Sequence, residues 1–289
     1  MIDVTHFTDP GCPWAYSASP ALATLRWRYG DQLDWTLVTI GLAEDSELYA
    51  KRGYTPLRSA IGYTTFRRYG MPFVVTPKTR LSATSPACRA IVATRLTAPA
   101  LEYAAFRALQ FAQFTTTGPF EDADTLRTAL RGVDGLDADA VVAAIDDPEV
   151  RQAYEADRAR ARTAAGSPTE FQGRAFNSDG AVRYTAPSLI FATEDGRSLE
   201  AGGFQPLEAY DVVVANLDAT LTRRPPAEDP VEVLAAFAYP LATAEIAAIM
   251  APHLTAPDLE QAEHALITAT AEGRAAHHPV GDGALWALA

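Results

Sequence analysis

The chain is poor in cysteine and lysine: Cys12, Cys88, Lys51 and Lys78 are all that its 289 residues contain. Two cysteines exclude a disulfide scaffold and direct attention to reactive-thiol chemistry. The other 22 basic residues are arginines, which with the abundant alanine points to a GC-rich coding bias. Alanine-rich stretches are therefore weaker evidence for helix than usual. Basic residues are outnumbered 24 to 36, and a net charge of −12 opposes binding to phosphate backbones or anionic lipid. Apolar runs of the roughly 18 residues a membrane span needs are lacking, so no membrane association is expected. The start Met1-Ile2-Asp3-Val4-Thr5-His6-Phe7 has neither a basic segment nor an apolar run, which predicts no secretory signal and a cytoplasmic location. Gly-x-Gly-x-x-Gly, Walker A and Gly-x-Ser-x-Gly patterns are missing, removing the common nucleotide-binding and serine-hydrolase readings. No metal site is predicted, because His277 and His278 are adjacent on a predicted ribbon and point to opposite faces. What is there in quantity is apolar: 48% of the residues, enough core for one large domain or two smaller ones.

The chain opens as β-α-β. Ile2 to Thr8 alternates as a strand and stops at Asp9-Pro10-Gly11; a helix is predicted over 13–29 and a second strand over 33–41. Residues 43–82 predict short helices and loops. From Ser85 to about Ala165 the pattern is helical, an insertion. After Asn177-Ser178-Asp179-Gly180 come a strand led by Pro187, a turn at 194–196, a second strand over 199–202, and a helix over 206–221. Arg223-Arg224-Pro225-Pro226 marks a boundary. Three further helices over 231–238, 243–250 and 258–272, then a hairpin turning at Asp282-Gly283, suggest a winged-helix unit. The organisation read from this is a first α/β part over 1–80, a helical insertion over 81–170, the second α/β part over 171–222 and the C-terminal unit over 231–289.

The informative segment is Asp9-Pro10-Gly11-Cys12-Pro13-Trp14-Ala15-Tyr16, where a strand turns into a helix with a cysteine near its first turn. Unpaired backbone N–H groups and the helix dipole favour a thiolate there, and such placement lowers a cysteine pKa from about 8.5 into the ~3.5 to 7.5 range. A reactive Cys12 is the expectation. His6, near the end of the first strand, is expected to face the sheet in a structural role.

This segment resembles the motif Asp-Pro-x-Cys-x-x-Cys plus an aromatic residue of the DsbA-like branch of the thioredoxin superfamily. Ser85-Pro86-Ala87-Cys88-Arg89-Ala90 is similar to a segment of its cytoplasmic, FrnE-like subgroup, and Ala186-Pro187 stands where the family has its cis-proline loop. The resemblance covers roughly residues 1–221. It implies an α/β thioredoxin-like fold with an inserted all-helical domain, Cys12 as catalytic nucleophile, and Pro13, Trp14, Ala15, Tyr16, Ala186 and Pro187 around a substrate cleft. No bound cofactor is implied; a low-molecular-weight thiol co-substrate is.

The chain departs from the family at Ala15, where the resolving cysteine should be. Without it a mixed disulfide is not resolved in the usual intramolecular way. Three routes stay open. Cys12 works as a monothiol on a small disulfide, thiol conjugate or peptide; Cys88 substitutes as resolving thiol, which requires Cα atoms within about 7 Å; or Cys12 is a relic in a peptide- or protein-binding adaptor. Similar single-nucleophile proteins with this insertion include the kappa-class glutathione transferases and related isomerases. Residues 226–289 hold nine acidic side chains and one basic, Arg274, and the would-be recognition helix over 258–273 has no lysine or arginine. That removes the contacts DNA reading uses, leaving packing, homodimerisation or covering of the cleft as roles for the C-terminal unit, with Trp286 as an anchor.

Overall fold

A computed structural model describes residues 1–176 and 180–289; the predicted turn at Asn177-Ser178-Asp179 lies outside them. Along the chain run β1 (Ile2–Thr8), α1 (Pro13–Ser17), α2 (Ser19–Tyr29), β2 (Leu33–Thr39), α3 (Glu47–Lys51) and α4 (Pro56–Phe66). The helical insertion follows as α5 (Ser85–Thr97), α6 (Glu102–Thr115), α7 (Ala123–Leu130), α8 (Ala138–Ala144) and α9 (Pro148–Ala161). Then come α10 (Pro168–Phe171), the short pair β3 (Ala175–Phe176) and β4 (Arg183–Tyr184), β5 (Ser188–Thr193), β6 (Ser198–Ala201) and α11 (Leu207–Leu217). The last unit is α12 (Pro230–Ala236), β7 (Leu241–Ala242), α13 (Thr243–Met250), α14 (Leu259–Ala271), β8 (Ala275–Val280) and β9 (Gly283–Leu288).

The main sheet has the order β2-β1-β5-β6, with β1 parallel to β2 and antiparallel to β5. This is the thioredoxin-like fold with helices inserted between its halves. Ile2, Val4, Leu189 and Phe191 pack with Leu22 and Leu25 of α2 and Tyr210 and Val214 of α11. Leu37 of β2 joins the core of the insertion, built on Ile91, Phe106, Leu109 and Tyr154. Side chains of this size contribute about 1.5–3 kcal/mol each when fully buried, so this seam is one tie between the insertion and the sheet, beside the packing of Ala161 with Phe7 and Val38. A second tie is Asp157 of α9, which accepts from the Thr39 N–H at 2.8 Å and from Arg95 of α5.

The single helix expected over 13–29 is divided at Ala18. Pro20 has no N–H to donate to the Tyr16 carbonyl, so the ladder breaks there and restarts as α2. His6 is buried, its ring centroid 6.3 and 6.1 Å from those of Trp35 and Phe106 in edge-on arrangements; burial pushes its pKa down to about 3, so it is neutral.

The C-terminal unit is a three-stranded sheet of order β7-β9-β8 with three helices, its core formed by Val233, Leu241, Ile246, Leu266 and Trp286. The last hairpin begins at Ala275, earlier than expected, and turns at Gly281-Asp282, since Val280 already pairs with Gly283. The backbone needs Gly281 there: its φ is +54°, and a Cβ would lie 3.0 Å from the Phe73 carbonyl carbon. Asp282 accepts from the Phe73 N–H at 2.6 Å and pairs with Arg67. Deeper in this interface Arg107 of α6 donates to both carboxylate oxygens of Glu245 on α13, each at 2.8 Å, and to Ser19 of α2. Trp27 of α2 donates to the Pro225 carbonyl, fastening the linker.

Candidate active site

β1 delivers the chain into the turn Asp9-Pro10-Gly11. The Asp9 carboxylate folds back to accept the Gly11 N–H at 2.8 Å, and its backbone carbonyl accepts the Cys12 N–H at 3.1 Å. Gly11 is required by close approach, because a Cβ there would sit 2.5 Å from Thr84 Cγ2. Cys12 is then the N-cap of α1, with Pro13 as its first helical residue. From 174 residues away the loop before β5 brings Ala186, joined to Pro187 by a cis peptide, so that the Cys12 thiol donates to the Ala186 carbonyl at 3.2 Å.

The thiol does not have the lowered pKa expected for it. Burial pushes it up to about 11; the nearby Asp9 charge pushes the same way, outweighing the Ala15 and Trp14 N–H groups and Arg183, which favour the thiolate. Cys12 is 7% exposed, and a helix of five residues does not offset that desolvation.

Asp9 was visible in the sequence only as part of the motif. It is wholly buried and gathers four donors: the Gly11 and Leu42 N–H groups, the Thr84 hydroxyl and, at 3.5 Å, the Cys88 thiol. Its pKa is raised by burial against the pull of these hydrogen bonds. Cys88 is therefore a buried partner of Asp9 on α5, its own thiol pushed well up, and both cysteines are free.

A cavity of about 430 Å³ opens beside Cys12, its wall including Gly11, Pro13, Trp14, Thr84 and Arg183. Trp14 is 42% exposed and meets Phe66, Tyr69 and Phe204 edge-on or tilted. Tyr16 corrects the expectation for the cleft. It is fully buried, stacks on Phe114 and donates to the Pro72 carbonyl, so it packs α1 against the insertion. Ala15 likewise is buried, beside Cys12 and Phe7, and cannot contact a ligand. Pro13 lines the cavity as expected, whereas Ala186 and Pro187 are buried and do not line it, Ala186 meeting the thiol through its carbonyl. Arg58, Lys78 and Tyr49, which also line the cavity, escaped the sequence reading because they lie in the stretch without a period. His277 packs on Trp286, and no group of three or more His, Cys, Asp or Glu side chains is placed to hold a metal among the described residues. No helix among those residues is long and apolar enough to cross a membrane.

A thioredoxin-like sheet, a cysteine capping the first helix and a cis-proline loop against its sulfur define the class. The DSBA-like thioredoxin domain family matches residues 3–186, and the chain belongs to that family. Among solved structures it is similar to a candidate protein disulfide isomerase from Nitrosomonas europaea, at 18% identity with a TM-score of 0.58, covering 76% of this chain and 98% of that one. It is also similar to a probable DsbA oxidoreductase from Streptomyces coelicolor, at 18% identity and a TM-score of 0.55, covering 77% and 92%. None of the curated proteins compared with the chain matches it.

Proposed function

We propose that the protein is a thiol-dependent enzyme of the DsbA type in which Cys12 alone exchanges with a disulfide or a low-molecular-weight thiol conjugate. The observation that carries this is the Cys12 thiol 3.2 Å from the Ala186 carbonyl, next in the chain to Gly11 and Pro13 of the cavity wall. In the reaction Cys12 loses its proton, its sulfur attacks one sulfur of the disulfide, that S–S bond breaks and the other half leaves as a thiolate. With Ala15 in the resolving place, a second small thiol from solution attacks the mixed disulfide and releases Cys12. Cys88 keeps a structural part beside Asp9, and both free thiols suit a reducing cytoplasm. The order helix, strand, two helices and hairpin supports a winged-helix-like reading of the C-terminal unit as a packing module, and its excess of acidic side chains speaks against nucleic acid as a partner.

Intact-mass measurement after incubation with glutathione disulfide tests the reading. One glutathione adduct is expected on wild type and on Cys88→Ser, none on Cys12→Ser, with release by excess thiol. An adduct confined to Cys88, or none at all, would overturn it. A second reading, a binding adaptor with a dormant cysteine, is favoured by the raised thiol. It predicts that Cys12→Ala still retains the bound peptide or protein.

A further inference from the structure

The charge around the cavity runs against the charge of the chain. The protein is acidic overall, at −12, yet the described residues lining this cavity include Arg52, Arg58, Lys78, Arg80 and Arg183 and no aspartate or glutamate. Their states differ. Arg80 is committed to Glu121 and Asp122, and Arg183 donates to the Tyr184 carbonyl. Arg58 donates to the Gly53 carbonyl at 3.0 Å and has no carboxylate partner among the described residues.

Lys78 is the most informative. It is one of two lysines in the chain and is half-buried, and its ammonium donates to the Thr116 and Gly118 carbonyls at 3.1 and 2.9 Å. Two of its three N–H groups are thus used on neutral acceptors, and no carboxylate pairs with it among the described residues. Burial pulls its pKa down to about 8, as expected of an ammonium that has lost water without gaining a counter-charge. The rest of the wall is neutral and includes the aromatic side chains of Trp14, Tyr49, Tyr54, Tyr63 and Phe66. A volume near 430 Å³ falls in the ~300–1,000 Å³ range of small-molecule sites.

We propose that this cavity takes small ligands with an apolar or aromatic body and a carboxylate or similar anionic end, held by Lys78 with Arg58. The inference rests on the exchange reading above and names its substrate class: an anionic disulfide or thiol conjugate. An anion beside Lys78 supplies the counter-charge that the protein withholds, in surroundings where water screens it weakly.

Two disulfides separate charge from thiol chemistry: dithiobis(nitrobenzoate), aromatic and dianionic, and dithiodipyridine, aromatic and neutral. Each reacts by the same step, its S–S bond breaking as Cys12 forms a new one and a thiolate leaves. The ratio of the two rates at Cys12 is expected to fall about tenfold in Lys78→Gln, the factor that about 1.4 kcal/mol represents. Lys78→Arg should restore the ratio, and Arg58→Gln should lower it. An unchanged ratio in Lys78→Gln would overturn the inference and assign Lys78 to holding the 116–118 carbonyls only. Calorimetric binding of nitrobenzoate, which has no sulfur, reads the same preference without Cys12. Weakening of about tenfold in Lys78→Gln supports the anion site, and equal binding refutes it even if Cys12 exchanges. Conversely, nitrobenzoate binding with no labelling of Cys12 by either disulfide would refute the enzyme reading and leave the anion site standing.

Discussion

The sharpest consequence of the site geometry concerns the pH at which Cys12 becomes a nucleophile. Its thiol is buried, donates to a carbonyl and has the Asp9 charge nearby, so its pKa is pushed up to about 11. An ordinary thiol with a pKa of about 8.5 is about one-tenth thiolate at pH ~7.5, whereas a value of about 11 leaves roughly three parts in ten thousand, about 300-fold less. Part of this returns, because a more basic thiolate is a better nucleophile by a Brønsted slope of about 0.4–0.5, and the net deficit is about 15- to 30-fold. Iodoacetamide alkylation followed by intact mass against pH, in a Cys88→Ser background, measures it. Serine at 88 keeps a hydroxyl to donate to Asp9. The expected profile rises through pH 9 to about 11 with no plateau near neutrality. Asp9→Asn removes the negative charge and should move the profile to lower pH. A midpoint below about 7 would refute the reasoning, since the α1 N-terminus would then outweigh burial.

Two further outcomes concern stability. Glu245→Gln should cost about 3–5 kcal/mol in denaturant unfolding, because it leaves the Arg107 charge buried opposite a neutral amide, and Arg107→Met with Glu245→Met should recover most of that. An equal loss in the single and double variants would contradict this account. His6, with a folded pKa of about 3 against an ordinary 6.5, binds its proton more readily in the unfolded chain, so its contribution is whole above pH 6.5 and is lost as the pH falls toward 3. At pH ~4.5 the loss is about 2–3 kcal/mol, and urea titrations of His6→Leu should show a shallower acid decline than wild type. Parallel declines would exclude His6 as the cause.

Much of the fold was legible because its signals are local. Proline and glycine punctuate β1, α1 and β5, and the three C-terminal helices keep their apolar stripes. The pairing of Cys12 with Ala186, 174 residues apart, was readable only through the family resemblance. Tyr16 was misplaced for a geometric reason: at about 100° per residue it points roughly 200° from Trp14, so the two cannot share one wall of a cleft. Asp9 stood inside the quoted motif, but its environment is assembled from Leu42, Thr84 and Cys88 on other elements, which no spacing reveals. The thiol was misjudged because the sequence shows a helix start and does not show the depth at which it lies.

The last hairpin reaches the site from behind. Its turn receives the Phe73 N–H across 209 residues and grips Arg67, directly after the Phe66 that ends α4 and forms part of the cavity wall. That wall is therefore braced from a part of the protein outside the cavity lining. Sequence drift in the hairpin can therefore shift that wall while every lining residue stays the same.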